Sequence, residues 1–354
     1  MRIWKHSRWD ALLLSLSGAQ LAVMLWLAAG WDTAPAAARA GGFAALAVMM
    51  AYNIIVVSHL FTHAPWFVSP RLNGIVSALN SVNIGQSVQA YQLTHVRNHH
   101  RFNNDPQGPD GTTKDTSSTY RNGRNGDHEP VLRYAVGGAL VSLLDRGKEV
   151  LWAARSWRVA ATEKTLLSLA APRPDRRARE LRQIRADRAA HCLSLAIFAA
   201  VSWQWTLLCY LPAFALALAL VNVQNYYRHY GAKPGDRAAD AVSHYGRLYN
   251  LLTFNDGYHQ EHHISPGTHW SRLPAVRAKH RARLDARRRI ISPVPAMLGF
   301  LDHRRPLLHR PTAPTTPTAP RSGPTSTPTS SASCAARGGD RSRAWPVPTP
   351  RSPL

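Results

Sequence analysis

Residues 11–30, ALLLSLSGAQLAVMLWLAAG, carry no charged side chain. A helix of that length rises about 30 Å, the thickness of the hydrocarbon core of a bilayer. In lipid each backbone polar group must be satisfied within its own segment, so such a run is a spanning helix. Residues 43–61, FAALAVMMAYNIIVVSHLF, repeat the pattern. A third run covers about 191–211 and a fourth about 212–228, PAFALALALVNVQNYYR, with Pro212 as the boundary between them. The expectation is an all-α membrane protein with about four transmembrane helices in two hairpins. A cytoplasmic helical cap would carry whatever chemistry the chain performs.

The basic start MRIWKHSR followed by an apolar run is also the pattern of a cleaved leader. The run is long and a second one follows a short loop, which favours a retained span. Lys and Arg set the orientation. The loop 31–42 holds one Arg and one Asp, whereas 145–190 contains RPDRRARELRQIRADR. Both termini and the central segment therefore face the cytoplasm. The formal net charge of +23 fits contact with anionic lipid next to the membrane. A nucleic-acid partner is not expected, because no recognition motif accompanies the charge.

Between the runs, residues 65–93 are moderately apolar but dotted with Asn, Ser and Gln, the composition of an interfacial helix or a shallow re-entrant segment. Residues 103–127 form a polar loop, and 131–144 read as interfacial. From about 311 the chain becomes a Pro, Thr, Ser and Arg tract that cannot bury enough apolar area to fold. The expected division is a membrane domain over 1–310 and a disordered tail over 311–354.

Histidine is the chemically telling residue. His59 and His63 lie four apart at the end of the second run; His95, His99 and His100 follow; His259, His262 and His263 come after the last run. Residues three or four apart share a helix face, so His59 with His63, His95 with His99, and His259 with a later member can address one ion. His100 and one of His262 and His263 then point toward a second. All three clusters fall on one side of the bilayer. With three cysteines and no CxxC spacing, a thiolate site is not indicated, so a bound metal must be held by imidazole. His6, His128, His191, His303 and His309 stand alone and read as surface or core residues. Imidazole suits zinc, copper, iron and nickel alike. This many clustered histidines exceed one four-coordinate zinc site, so two ions are the natural count.

The series His59-x3-His63, His95-x3-His99-His100 and His259-x2-His262-His263, set on two hairpins, resembles the membrane fatty acid desaturase and hydroxylase superfamily. NYYRHYG at 225–231 is similar to the block that supplies one further histidine there, most of all in membrane alkane hydroxylases. The resemblance covers most of 10–275. It implies a non-haem diiron centre that uses dioxygen and supplied electrons to attack an unactivated C–H bond of a lipid chain. It further implies iron ligands at His59, His63, His95, His99, His100, His229, His259, His262 and His263, with no catalytic group beyond them. Asn225, four residues before His229, matches an asparagine that reaches iron through water in some acyl desaturases.

The chain departs from relatives in places. Three residues separate the first two histidines of the second box, where many acyl-CoA desaturases have two. Ser58 and Thr94 stand where alkane hydroxylases have glutamates, and Arg228 stands where their block has an acid. These differences favour a desaturase over an alkane hydroxylase, with a terminal alkene- or alkyne-forming enzyme as a close alternative. Arg97, Arg101 and Arg272 lie near the boxes as candidate head-group contacts. A metal transporter is disfavoured, because the apolar runs lack Asp and Glu and the histidines sit at or beyond their ends. A zinc hydrolase is disfavoured because HQEHH is not HExxH. His244, beyond the turn GAKPGDRAAD, is expected to lie away from the centre. The chain contains no recognisable haem or iron–sulfur domain, so the implied partners are a lipid acyl substrate and a separate ferredoxin or cytochrome. The implied location is a bacterial inner membrane or its equivalent, with the site on the cytoplasmic face.

Overall fold

The computed structural model describes residues 2–156 and 164–310. The tail expected at 311–354 lies outside those residues. Among the described residues three helices are long and apolar enough to cross a membrane: Asp10–Gly30, Ala36–His63 and Trp203–His229. The protein is mostly helical, as expected.

Pro212 is not the boundary the sequence suggested. The chain breaks at Ser202, whose extended backbone (φ −157°, ψ 104°) ends one helix while its hydroxyl accepts from the Trp205 N–H and caps the next. Pro212 instead lies just after a π-helical turn, Thr206–Tyr210, inside a continuing helix. A π turn already takes local carbonyls out of the i to i+4 ladder, so a residue without an N–H is tolerated there. The run expected at 191–211 is consequently divided. Its first part ends the 28-residue helix Pro174–Val201, whose other half holds the arginine-rich stretch.

Polar residues inside the apolar helices have specific partners. Ser17 Oγ donates to Asn80 Oδ1 at 2.6 Å, Gln20 Nε2 to the Asn83 carbonyl at 2.9 Å, and Asn83 Nδ2 to the Ser17 carbonyl at 2.9 Å. Asn80 and Asn83 thus join the Pro70–Ile84 helix to the first span. Buried polar groups without water need such partners. Asp187 of the long helix binds the same segment, accepting from Ser77 Oγ, Ser87 Oγ and the Gln89 N–H. Leu13, Met24, Leu46, Met50, Trp66, Trp205 and Phe214 pack into the apolar core among these helices.

The remaining described segments are short helices, turns and loops. Asn103 and Asn104 take left-handed φ values of 47° and 57°, which stop the second-box helix and turn the chain back. Residues 103–127 form the expected loop, but one that is internally bonded and partly buried: Asn104 Oδ1 accepts from both the N–H and the hydroxyl of Thr119. Later, Val242–Ser243 pairs in parallel with Ile290–Ile291, and Val242–Ser243 packs against the short helix His259–Ile264.

Candidate metal centre

Each of the nine histidines is delivered by a helix end. His59 and His63 occupy the last turn of Ala36–His63, directly after a π-helical stretch, Asn53–Ser58, in which Ser58 Oγ donates to Asn53 Oδ1 at 2.7 Å. His229 ends Trp203–His229, and His259, His262 and His263 come from the short helix His259–Ile264. His95–His99 is itself a π-helical turn. Such turns recur at functional sites because they re-aim side chains.

The histidines fall into two groups. His59, His63, His95, His100 and His262 offer nitrogens within 4.8 Å of one another, and so do His99, His229 and His263. His259 belongs with the second group, its Nε2 lying 3.4 Å from that of His229 and 3.1 Å from that of His263. This partition differs from the face-sharing expected of an α-helix. His95 and His99 are separated, and His95 meets His100 instead, with Nε2 atoms 3.2 Å apart. A π turn bonds i to i+5 and widens the helix, so the later histidines are rotated away from the positions an α-helix would give them. His262 joins His100 at 3.0 Å, and its neighbour His263 turns to the other group.

The arrangement fits metal binding. Nitrogens sharing one ion at about 2.1 Å stand roughly 3 Å apart, the spacing found between these imidazoles. Several buried nitrogens, His63 Nε2 and His99 Nε2 included, have no hydrogen-bond partner among the described residues. Burial, reinforced by the crowding of the other imidazoles and, at His259, by Arg228, holds His95, His100, His259, His262 and His263 well below the ordinary histidine pKa. They are neutral at physiological pH, the form that binds metal.

Two carboxylates not singled out by the sequence, Asp115 and Asp256, lie beside imidazoles. Fully buried Asp115 accepts from His99 Nδ1 at 2.7 Å. Burial alone would raise its pKa, but His99 and the Ser117 donors outweigh that and hold the carboxyl below the usual range. Asp256 Oδ1 lies 3.8 Å from His59 Nδ1, and its other oxygen takes Arg228 and the Tyr249 hydroxyl. Arg228, which replaces an acid of the resembling block, therefore brings its own acid from 28 residues away. Glu261, between the third-box histidines, accepts from the Tyr245 and Ser243 hydroxyls at 2.6 and 2.9 Å. His229 Nδ1 faces the Asp240 carbonyl at 3.3 Å. Asp115 lies in a loop with several similar acids, so nothing local distinguished it.

Other residues fall as follows. Asn225 donates to the Tyr134 hydroxyl at 2.6 Å, one turn before His229. His244 is bonded to the Ser292 carbonyl and belongs to neither group, as expected. His128 is a core residue against Thr119, His309 pairs with Asp127, His191 is buried, and His303 is exposed. His6 stacks on His269. Arg97 is committed to Glu180 and the Leu169 carbonyl, while Arg101 and Arg272 are exposed.

The fatty acid desaturase family model matches residues 34–294, a stretch that contains all nine histidines. The chain belongs to the fatty acid desaturase family. A short segment is also 54% identical over 39 residues to a sphingolipid delta(4)-desaturase of Candida albicans. That match spans 11% of this chain and 10% of the yeast protein, so it bears on a motif rather than on the whole. Family membership and the three apolar helices together fit an integral membrane protein, and an oxidoreductase is the enzyme class the family indicates.

Proposed function

We propose that this desaturase-family protein introduces a carbon–carbon double bond into a lipid acyl chain, using a diiron centre, dioxygen and electrons from a separate ferredoxin or cytochrome. The observation that carries the proposal is the convergence of nine histidines from four separate segments into two adjoining groups. His59, His63, His95, His100 and His262 would hold one iron, and His99, His229, His259 and His263 the other. Asn225 is the proposed water-mediated contact of the second.

Two bound irons would supply the activation of dioxygen and the oxidation of the C–H bonds. The protein's own work is to orient and to exclude. Asp115 fixes the His99 tautomer by accepting a hydrogen bond from its Nδ1–H, as carboxylates behind ligating histidines do. The Asp240 carbonyl does the same for His229. Asp256, neutralised by Arg228, holds the span end against the third box beside His59. Burial of the imidazoles keeps water and protons from competing for them. The net reaction takes two hydrogens from adjacent methylenes and, with dioxygen, two electrons and two protons, yields an alkene and two waters.

Four spans remain our arrangement, with the apolar half of Pro174–Val201 pairing with Trp203–His229 and the cap on the cytoplasmic side. The similarity of NYYRHYG to alkane hydroxylases supports a second reading, insertion of oxygen rather than desaturation. One experiment tests both. Membranes holding the wild-type protein or a His63→Ala, His262→Ala variant are supplied with a reductase, a ferredoxin and lipids, and the products are resolved by mass spectrometry. A loss of two mass units supports desaturation and a gain of sixteen supports hydroxylation. Unchanged lipids, or one zinc per chain with no iron after anaerobic iron loading, would refute the diiron proposal.

A further inference from the structure

Outside the centre, a cavity of about 550 Å³ opens between the end of the second span, the Pro70–Ile84 helix and the arginine-rich half of Pro174–Val201. Its walls differ in chemistry. Phe61, Pro65 and Val88 line one side, and Arg176, Arg179 and Arg182 come from the other. Spaced three apart, the arginines recur along one flank of a helix. Arg176 is engaged with Glu180 at 3.1 Å. Arg179 and Arg182 are exposed and have no acidic or hydrogen-bonding partner among the described residues.

We propose that this cavity binds the phosphate of an anionic phospholipid headgroup. Guanidinium groups match phosphate oxygens in geometry and charge, and two unpartnered arginines leave donors available for it. The apolar wall decides between a lipid and free phosphate. Phe61 belongs to a membrane-crossing helix, and the arginine-bearing helix becomes apolar a few turns further on. The cavity therefore lies at the level where a lipid presents its phosphate above its acyl carbons. A free phosphate would use the arginines and gain nothing from Phe61 and Val88. The site adjoins the first box: Gln92, also in the wall, donates to the Thr62 carbonyl at 2.8 Å. A headgroup here braces the turn that carries His59 and His63. The proposal does not depend on which reaction the centre performs.

The test uses the full-length protein in a neutral detergent. Binding of phosphatidylglycerol, phosphatidylcholine and inorganic phosphate is read by native mass spectrometry and by thermal shift. The double variant Arg179→Gln, Arg182→Gln is compared with a control, Arg281→Gln, Arg283→Gln, that removes the same charge from another exposed stretch. Phosphatidylglycerol should bind the wild type and the control alike and the double variant at least about tenfold more weakly, as loss of charge-assisted hydrogen bonds implies. Equal weakening in both variants would reduce the effect to bulk charge and overturn the proposal. Arginine-dependent protection by inorganic phosphate without any by phosphatidylglycerol would overturn the lipid assignment.

Discussion

Asp115→Asn is a nearly isosteric change that isolates what a carboxylate does behind a histidine. The Asp115 side chain is fully buried and accepts four hydrogen bonds: His99 Nδ1 and the Asn104 N–H at 2.7 Å on one oxygen, the Ser117 N–H and hydroxyl at 2.8 Å on the other. An amide retains one oxygen and presents an NH2 where the other stood. In either orientation two of the four donors meet a donor. The Ser117 hydroxyl can turn away, but His99, Asn104 and the Ser117 N–H cannot all be served. One or two stranded buried donors cost about 1–3 kcal/mol each. The thermal stability should therefore fall measurably, without loss of membrane insertion. Metal retention should fall further, since weakening the partner of a ligating histidine costs about 10–100-fold in affinity. Purified wild-type and variant proteins, loaded with iron and equilibrated against graded chelator, give that ratio directly. Retention of iron equal to wild type, with an unchanged melting point, would show that Asp115 does not orient His99 and would refute the reasoning.

Three other outcomes follow from the same structure. His229→Ala should lower bound iron and abolish product with the protein still inserted, while His244→Ala, which loses a ring bonded to the Ser292 carbonyl and set against Tyr249, should keep most of both; the reverse pattern would overturn the ligand assignment. In Gly257→Ala the new Cβ would overlap the His244 carbonyl and the Asn250 side chain just before the third box. Overpacking of this kind costs about 1–3 kcal/mol, so the variant should melt earlier and bind iron less tightly, and a wild-type melting curve would count against it. The third concerns pH in the metal-free protein. His95, His100, His259, His262 and His263 have folded pKa values far below the unfolded value of about 6.5. Below that pH the unfolded chain takes up protons that the folded chain refuses, so stability falls with acidity. Chelator-treated protein should melt lower at pH 5.5 than at pH 7.5, and a flat profile would contradict the neutral-imidazole picture.

Local features of the sequence determined the apolar runs that suit a membrane and the histidine clusters. Uncharged runs at 11–30 and 43–61 report their own environment, because the cost of charge in lipid is paid residue by residue. Histidines at 59 and 63, and at 259 and 263, share an α-helical face, and the structure keeps both pairs together. The partition of the nine was a different matter. It turned on a π-helical turn at His95–His99, which shifts the matching residue from 99 to 100 and has no signature in spacing alone. The helix break is at Ser202 rather than Pro212 because a neighbouring π turn accommodates the proline. Asp115, Asp256 and the Asp240 carbonyl reach the imidazoles only when distant segments pack. Hydropathy and periodicity are sums over neighbours in the chain, whereas the partner of a buried donor is whichever group the fold brings within 3 Å.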